Sequence, residues 1–109
     1  MSRLKGNVAE EKGCVFLISK GFEIIERNFY AKKMGEIDII AIKNGVLHFV
    51  EVKSGNTFEP IYNITKVKIS RITKSAYLYL KAKNIDMPFC IDALIISDDE
   101  FEFIENITF

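Results

Sequence analysis

The segment GEIDIIAIKNGVLHFVEVKSG, residues 35–55, sets Glu36, Asp38, Glu51 and Lys53 among residues that are otherwise apolar. Asn44-Gly45 near its middle is the strongest short hairpin signal, because a type I′ turn needs positive φ at both central positions. With these two as the loop, Lys43 faces Val46, and the same register sets Asp38 opposite Glu51 and Glu36 opposite Lys53. Side chains alternate along a strand, so all four ionisable groups share one face.

Directly opposed β-carbons of an antiparallel pair lie only ~4.5–5.5 Å apart. Two ionised carboxylates at that spacing repel, and burial strengthens the repulsion. Either one takes up a proton or a cation sits between them. Carboxylate oxygens suit Mg²⁺ or Mn²⁺, which also keep water and substrate phosphate as ligands. Lys53 would stand beside such an ion, placed to hold a water or a phosphate oxygen. The residues also admit a structural reading. In it Glu36 and Lys53 form a cross-strand ion pair, and Asp38 and Glu51 sit in water at an open sheet end.

The elements that must position these groups can be read in order. Residues 2–20 read as a helix, with Leu4, Val8, Val15 and Ile18 at helical spacing. Glu10 shares a second face of that helix with Gly6, Gly13, Cys14 and Leu17. FEIIERNFY reads as a strand, and Lys32 to Gly35 as a loop before the hairpin. The same face of the hairpin continues from the acids into Ile40, Ile42, Leu47 and Phe49. Its other face carries Ile37, Ile39, Ala41, His48, Val50 and Val52, so the hairpin is expected to be central and covered on both sides. SGNTFEPIYN reads as a loop. A helix follows over 65–83, with Ile69, Ile72, Ala76 and Leu80 as its apolar stripe and Asn63 or Thr65 as its cap. MPFCIDALIIS has the continuous apolar character of a strand buried on both faces. EFEFIEN alternates as an edge strand blunted by acids. The expected class is α/β, a central mixed sheet flanked by helices in the order α-β-β-β-α-β-β.

The 109 residues make one domain, and 49% apolar with 28% charged residues is a globular composition. No apolar run approaches the ~20 residues of a membrane helix, and no secretory core is present near the start, so the expected address is the cytoplasm. The net charge of +0 hides an asymmetry. Residues 60–85 hold Lys66, Lys68, Arg71, Lys74, Lys81 and Lys83 and no acid, whereas residues 86–109 hold seven acids and no base. Cys14 and Cys90 lack metal-type spacing and read as reduced thiols. His48 reads as a core or edge residue. Asp92 is an acid inside an apolar run, so it needs a backbone amide or a basic side chain.

GNVAEEKG, GFEIIERNFY, the paired GEID and EVK motifs, ITKVKISRI, CIDALII and a terminal IEN together resemble the bacterial YraN-like family, also known as UPF0102. That resemblance implies a restriction-endonuclease-like core, related in fold to archaeal Holliday-junction resolvases, with its D…ExK metal site. Asp38, Glu51 and Lys53 match the catalytic pattern. Asp38 and Glu51 would hold the metal with the Val52 carbonyl, and Glu10 matches a first-helix glutamate that reaches the same ion. Glu36 would support the site. Lys68 matches a second-helix lysine, although an arginine common after EVK is replaced here by Ser54-Gly55. The expected activity is Mg²⁺- or Mn²⁺-dependent hydrolysis of DNA, on branched or junction substrates, with Lys66, Lys68, Arg71 and Lys74 on phosphates. The alternative is a nucleic-acid-binding module on the same fold, and a third reading makes the acidic C-terminal segment a protein contact. Junction-resolving enzymes generally act as dimers, so the resemblance also implies a homodimer, with the edge near Phe101 and Phe103 as the candidate face.

Overall fold

A computed structural model describes residues 2–31, 34–55 and 64–108, with the side chains of residues 2–7 not described. The elements are α1 (Ser2–Ser19), β1 (Glu23–Tyr30), β2 (Glu36–Lys43), β3 (Val46–Ser54), α2 (Lys66–Ala82), β4 (Phe89–Ser97) and β5 (Glu100–Ile104). This is the expected order. One five-stranded mixed sheet runs β1-β2-β3-β4-β5. Only β3 and β4 are parallel, because α2 carries the chain across between them. Of the loop expected over residues 54–63, Ser54 ends β3 and residues 56–63, with the proposed cap Asn63, lie outside the described residues, as do residues 32–33 and the side chain of the stripe member Leu4.

The hairpin turn is as the sequence requires: Asn44 has φ +52° and Gly45 φ +77°, and Lys43 pairs with Val46. The ladder keeps the expected register through Ile39 and Val50. There the strands part. β2 continues along β1, with Ile37 opposite Phe29 and Glu36 opposite Tyr30, while β3 continues along β4, with Glu51 opposite Ala93 and Lys53 opposite Ile95. The cross-strand neighbours expected at Asp38/Glu51 and Glu36/Lys53 therefore stand on the two arms of a fork. Beyond the parting point the alternation of β2 no longer refers to one flat sheet. Ile37, expected to share a face with Ile39, Ala41 and Val50, packs instead into the core beneath α2.

Both faces of the sheet are covered, as expected of its central strands. On one side Ile40, Phe49 and Ile91 pack against Ile72, Ala76 and Tyr79 of α2. On the other, Ile39, Val50 and Leu94 pack against Ala9, Cys14 and Leu17 of α1. α2 lies as the sequence predicts, capped by Thr65, whose side-chain oxygen accepts the Lys68 backbone N–H at 3.1 Å. α1 is rotated from one expected stripe. Val8, Val15 and Ile18 are 53%, 61% and 57% exposed, and the Glu10/Cys14/Leu17 face is the buried one. The cause is close approach: a Cβ on Gly13 would lie 3.1 Å from Leu94 and 3.3 Å from Ile39. Small residues let the helix sit down on the sheet, and its bulkier aliphatic side chains are left outside. Among the described residues, no helix is long and apolar enough to cross a membrane.

Candidate metal centre

At the fork, Asp38 occupies the gap that a continued ladder would have filled. Its Oδ2 accepts the Val52 backbone N–H at 2.8 Å. In a strand the N–H and C=O of one residue point to the same edge, so the Val52 carbonyl also faces the gap. Glu51 is buried at 4% exposure, one residue earlier on the arm that β3 makes with β4. Asp38 and Glu51 line a cleft of ≈460 Å³ together with Glu36, Gly35, Thr65, Lys68 and Arg71.

From the α1 side Glu10 stands beside Asp38. It is 8% exposed, and its Oε1 is buried without a hydrogen-bond partner. Arg27 Nη2 lies 3.9 Å from that oxygen, while Nη1 of the same guanidinium is committed to Glu11 at 2.8 Å. The three acids form a row, Glu10–Asp38–Glu51, with Asp38 in the middle.

The electrostatics follow from this placement. Burial first, then the Glu51 charge, push the Asp38 carboxyl up to about 8; the Val52 amide opposes them and Glu10 adds to them. Glu10 is raised as well, by burial and by the charge of Glu36, against the Asn28 side chain, which lowers it. Lys53 is lowered by burial and by the neighbouring Lys68 charge. Its ammonium lies 3.9 Å from Glu51, which replaces the expected pairing with Glu36. Lys68 feels burial that disfavours its charge, but its bond to Glu51 outweighs that and raises it. Its Nζ stands 2.8 Å from Glu51 Oε2.

Of the four α2 cations expected on phosphates, the structure brings Lys68 and Arg71 to the acids. Lys66 and Lys74 line a separate cleft with Ile69, Thr73 and Tyr77. On the far face of the sheet His48 is buried, and Asp92 has both kinds of partner its burial demands: the Asn106 N–H and the His48 ring. Phe101 and Phe103 turn inward, stacking on Phe16 and packing edge-on against Phe22.

Residues 9–96 match the family described as "Uncharacterised protein family UPF0102". A UPF0102 protein of Wolinella succinogenes is 68% identical over 108 residues, covering 99% of both chains. This chain belongs to the UPF0102 family. A Helicobacter hepaticus UPF0102 protein is 59% identical over 98% of this chain and 96% of its own length, and one from Sulfurovum is 51% identical over 99% and 96%. Within this UPF0102 chain, sequence reasoning missed the Lys68–Glu51 contact and the proximity of Arg27 to Glu10. Both are tertiary pairings across elements. The only hint was lysine at the start of α2, two residues inside an unusually acid-free helix.

Proposed function

We propose that this UPF0102 chain is a Mg²⁺- or Mn²⁺-dependent DNA endonuclease with a restriction-endonuclease-like core, acting on branched or junction substrates. The observation that carries the reading is the row of carboxylates, half-buried Asp38 between buried Glu10 and Glu51, whose end member Glu10 keeps an oxygen without a hydrogen-bond partner. Buried polar atoms are nearly always satisfied, so an unpaired carboxylate oxygen beside two more acids fits a cation. Asp38, Glu51 and the Val52 carbonyl would hold the ion, with Glu10 behind them. When bound, it supplies Lewis-acid activation of a phosphoryl oxygen and lowers the pKa of a coordinated water.

The chain's own groups do the rest. The fork fixes Asp38 through the Val52 amide, so the donor atoms are set before substrate arrives. Lys53, its charge weakened by burial and by Lys68, would hold the attacking water and steady charge on the phosphate. Arg71, exposed on the cleft wall, supplies a planar donor for a phosphate. With Glu51 engaged by an ion, Lys68 would be free to contact the DNA backbone. Lys66 and Lys74 extend the basic track along the next face of α2. Glu36 lines the cleft and adds to its negative field.

One observation favours a second reading, a module that binds nucleic acid without cutting it. Lys68 already neutralises Glu51 at 2.8 Å, so part of the cation's work is done by the protein. The two separate on a fluorescently end-labelled four-way junction and a matched duplex, incubated with Mn²⁺ and with wild type or Asp38→Asn. The endonuclease reading expects cleavage by the wild type, abolished in the variant while binding persists. Binding without cleavage in both proteins would replace it with the module.

A further inference from the structure

We propose that His48, Cys90 and Asp92 form a second cation site, zinc-like in preference, on the sheet face opposite Asp38 and Glu51. His48 of β3 pairs directly with Cys90 of β4 in the parallel ladder. Asp92 lies two residues further along the same face of β4. One donor atom from each residue falls within 4.8 Å of the others. Cys90 Sγ is 3.2 Å from His48 Nδ1 and 3.2 Å from Asp92 Oδ1, and His48 Nδ1 is 2.5 Å from Asp92 Oδ2.

The proton inventory explains why this set suits an ion. The Asp92 carboxylate is fully buried and accepts the Asn106 N–H at 2.8 Å. The Cys90 thiol and the His48 ring both direct their protons at it. Sulfur, nitrogen and oxygen therefore converge on one point with protons between them. In a tetrahedral zinc site, bonds of ~2.3 Å to sulfur and ~2.0–2.1 Å to nitrogen and oxygen set ligand edges of roughly 3.5 Å for S···N and 3.3 Å for N···O. The sulfur–nitrogen edge is a few tenths of an ångström short of this, and the nitrogen–oxygen edge, at 2.5 Å, opens only if Asp92 turns away from the His48 ring.

The charges close as well. With a neutral ring the cluster carries one negative charge, on Asp92. When M²⁺ enters, the thiol proton leaves to solvent and the ring proton moves from Nδ1 to Nε2. The site then holds M²⁺, thiolate, carboxylate and neutral imidazole, with zero net charge. The buried Asp92 carboxylate favours a divalent cation at this point, and the cation in turn stabilises the thiolate.

Access is provided. A cleft of ≈500 Å³ lined by His48, Cys90, Glu105 and Phe103 reaches the cluster and would admit water as a fourth ligand. Lys43, on the same rim, has its ammonium held by the Lys20 carbonyl at 2.7 Å and by the Phe22 ring. Thiolate plus imidazole is a softer donor set than the carboxylates at the fork, so the two sites select different ions. A metal here would tie β3 and β4 to the segment after β5, which already bonds to β4 through the Asn106 and Ile107 amides.

The test adds Co²⁺ to metal-free protein and then measures Zn²⁺ affinity against a chromogenic chelator. The wild type should bind an equivalent of Co²⁺ that shows a thiolate-to-cobalt charge-transfer band and tetrahedral visible absorption. Asp38→Asn should keep both. Cys90→Ser, which retains a hydroxyl donor to Asp92, should lose the charge-transfer band and at least ~100-fold in Zn²⁺ affinity. A wild-type cobalt complex without the thiolate band, Zn²⁺ affinity unmoved by Cys90→Ser, or binding abolished by Asp38→Asn would each overturn the site. The wild-type spectrum decides the matter even if a variant fails to fold.

Discussion

Replacing Asp38 with asparagine removes a charge while keeping an oxygen that can accept the Val52 N–H. Asp38 titrates at about 8 in the folded chain against 3.8 ordinarily, pushed by burial and by Glu51. A carboxyl raised by folding binds its proton more tightly in the native state. Its contribution to stability is fully present below about 3.8 and is lost as pH rises through about 8. At ~1.4 kcal/mol per pKa unit the ceiling is ~5–6 kcal/mol. Asp38 lines an open cleft, where water and counter-ions screen it, so ~2–3 kcal/mol is the working figure. For a chain of this length that corresponds to roughly 10 °C in midpoint. In EDTA, Asp38→Asn should therefore melt well above the wild type at pH 8–9, and the gap should close toward pH 4. Circular dichroism melts across that pH range measure it directly. A variant melting at or below the wild type at pH 8, or a gap that does not change with pH, would refute the electrostatic picture of the fork.

Lys68→Met should destabilise the metal-free protein by ~1 kcal/mol, since Glu51 loses the ammonium at 2.8 Å, with the pair partly screened by solvent; urea melts in EDTA read this. Gly13→Val should cost ~1–3 kcal/mol in the same melts, because its Cβ would meet Leu94 at 3.1 Å and force α1 off the sheet. Thr65→Ala removes the oxygen that caps α2 and should cost ~1 kcal/mol. Arg71→Ala should weaken binding to all DNA sequences alike and reduce the slope of log affinity against log salt by about 1, measured by fluorescence anisotropy.

The hairpin was legible because Asn44-Gly45 fixes its own register, and that register holds through Ile39 and Val50. The fork was not legible, because it depends on Phe29 and Ala93 claiming the two arms, and those pairings are non-local. In α1 the pattern of bulky aliphatics pointed to Val8, Val15 and Ile18. The buried face is instead the one whose small residues, Ala9 and Gly13, allow contact with the sheet. Glu10 was recognised on that face by its company with Cys14 and Leu17, but its unpaired oxygen is a tertiary fact. The need of Asp92 for a partner followed from its apolar neighbours. That the partner is His48, 44 residues away, did not. The Lys68–Glu51 pair is hidden for the same reason: a basic helix carries no sign of the acid that a strand brings beneath it.

The central claim, that the carboxylates at the fork hold a divalent ion, is tested most directly by thermal midpoints with and without Mn²⁺ for wild type, Asp38→Asn and Cys90→Ser. An ion that binds only the folded state at a hundred times its dissociation constant stabilises by ~2.7 kcal/mol, several degrees for this chain. Mn²⁺ should raise the midpoint of the wild type and of Cys90→Ser, and leave Asp38→Asn where EDTA leaves it. Equal shifts in the wild type and Asp38→Asn, or none in any of the three at millimolar Mn²⁺, would contradict it.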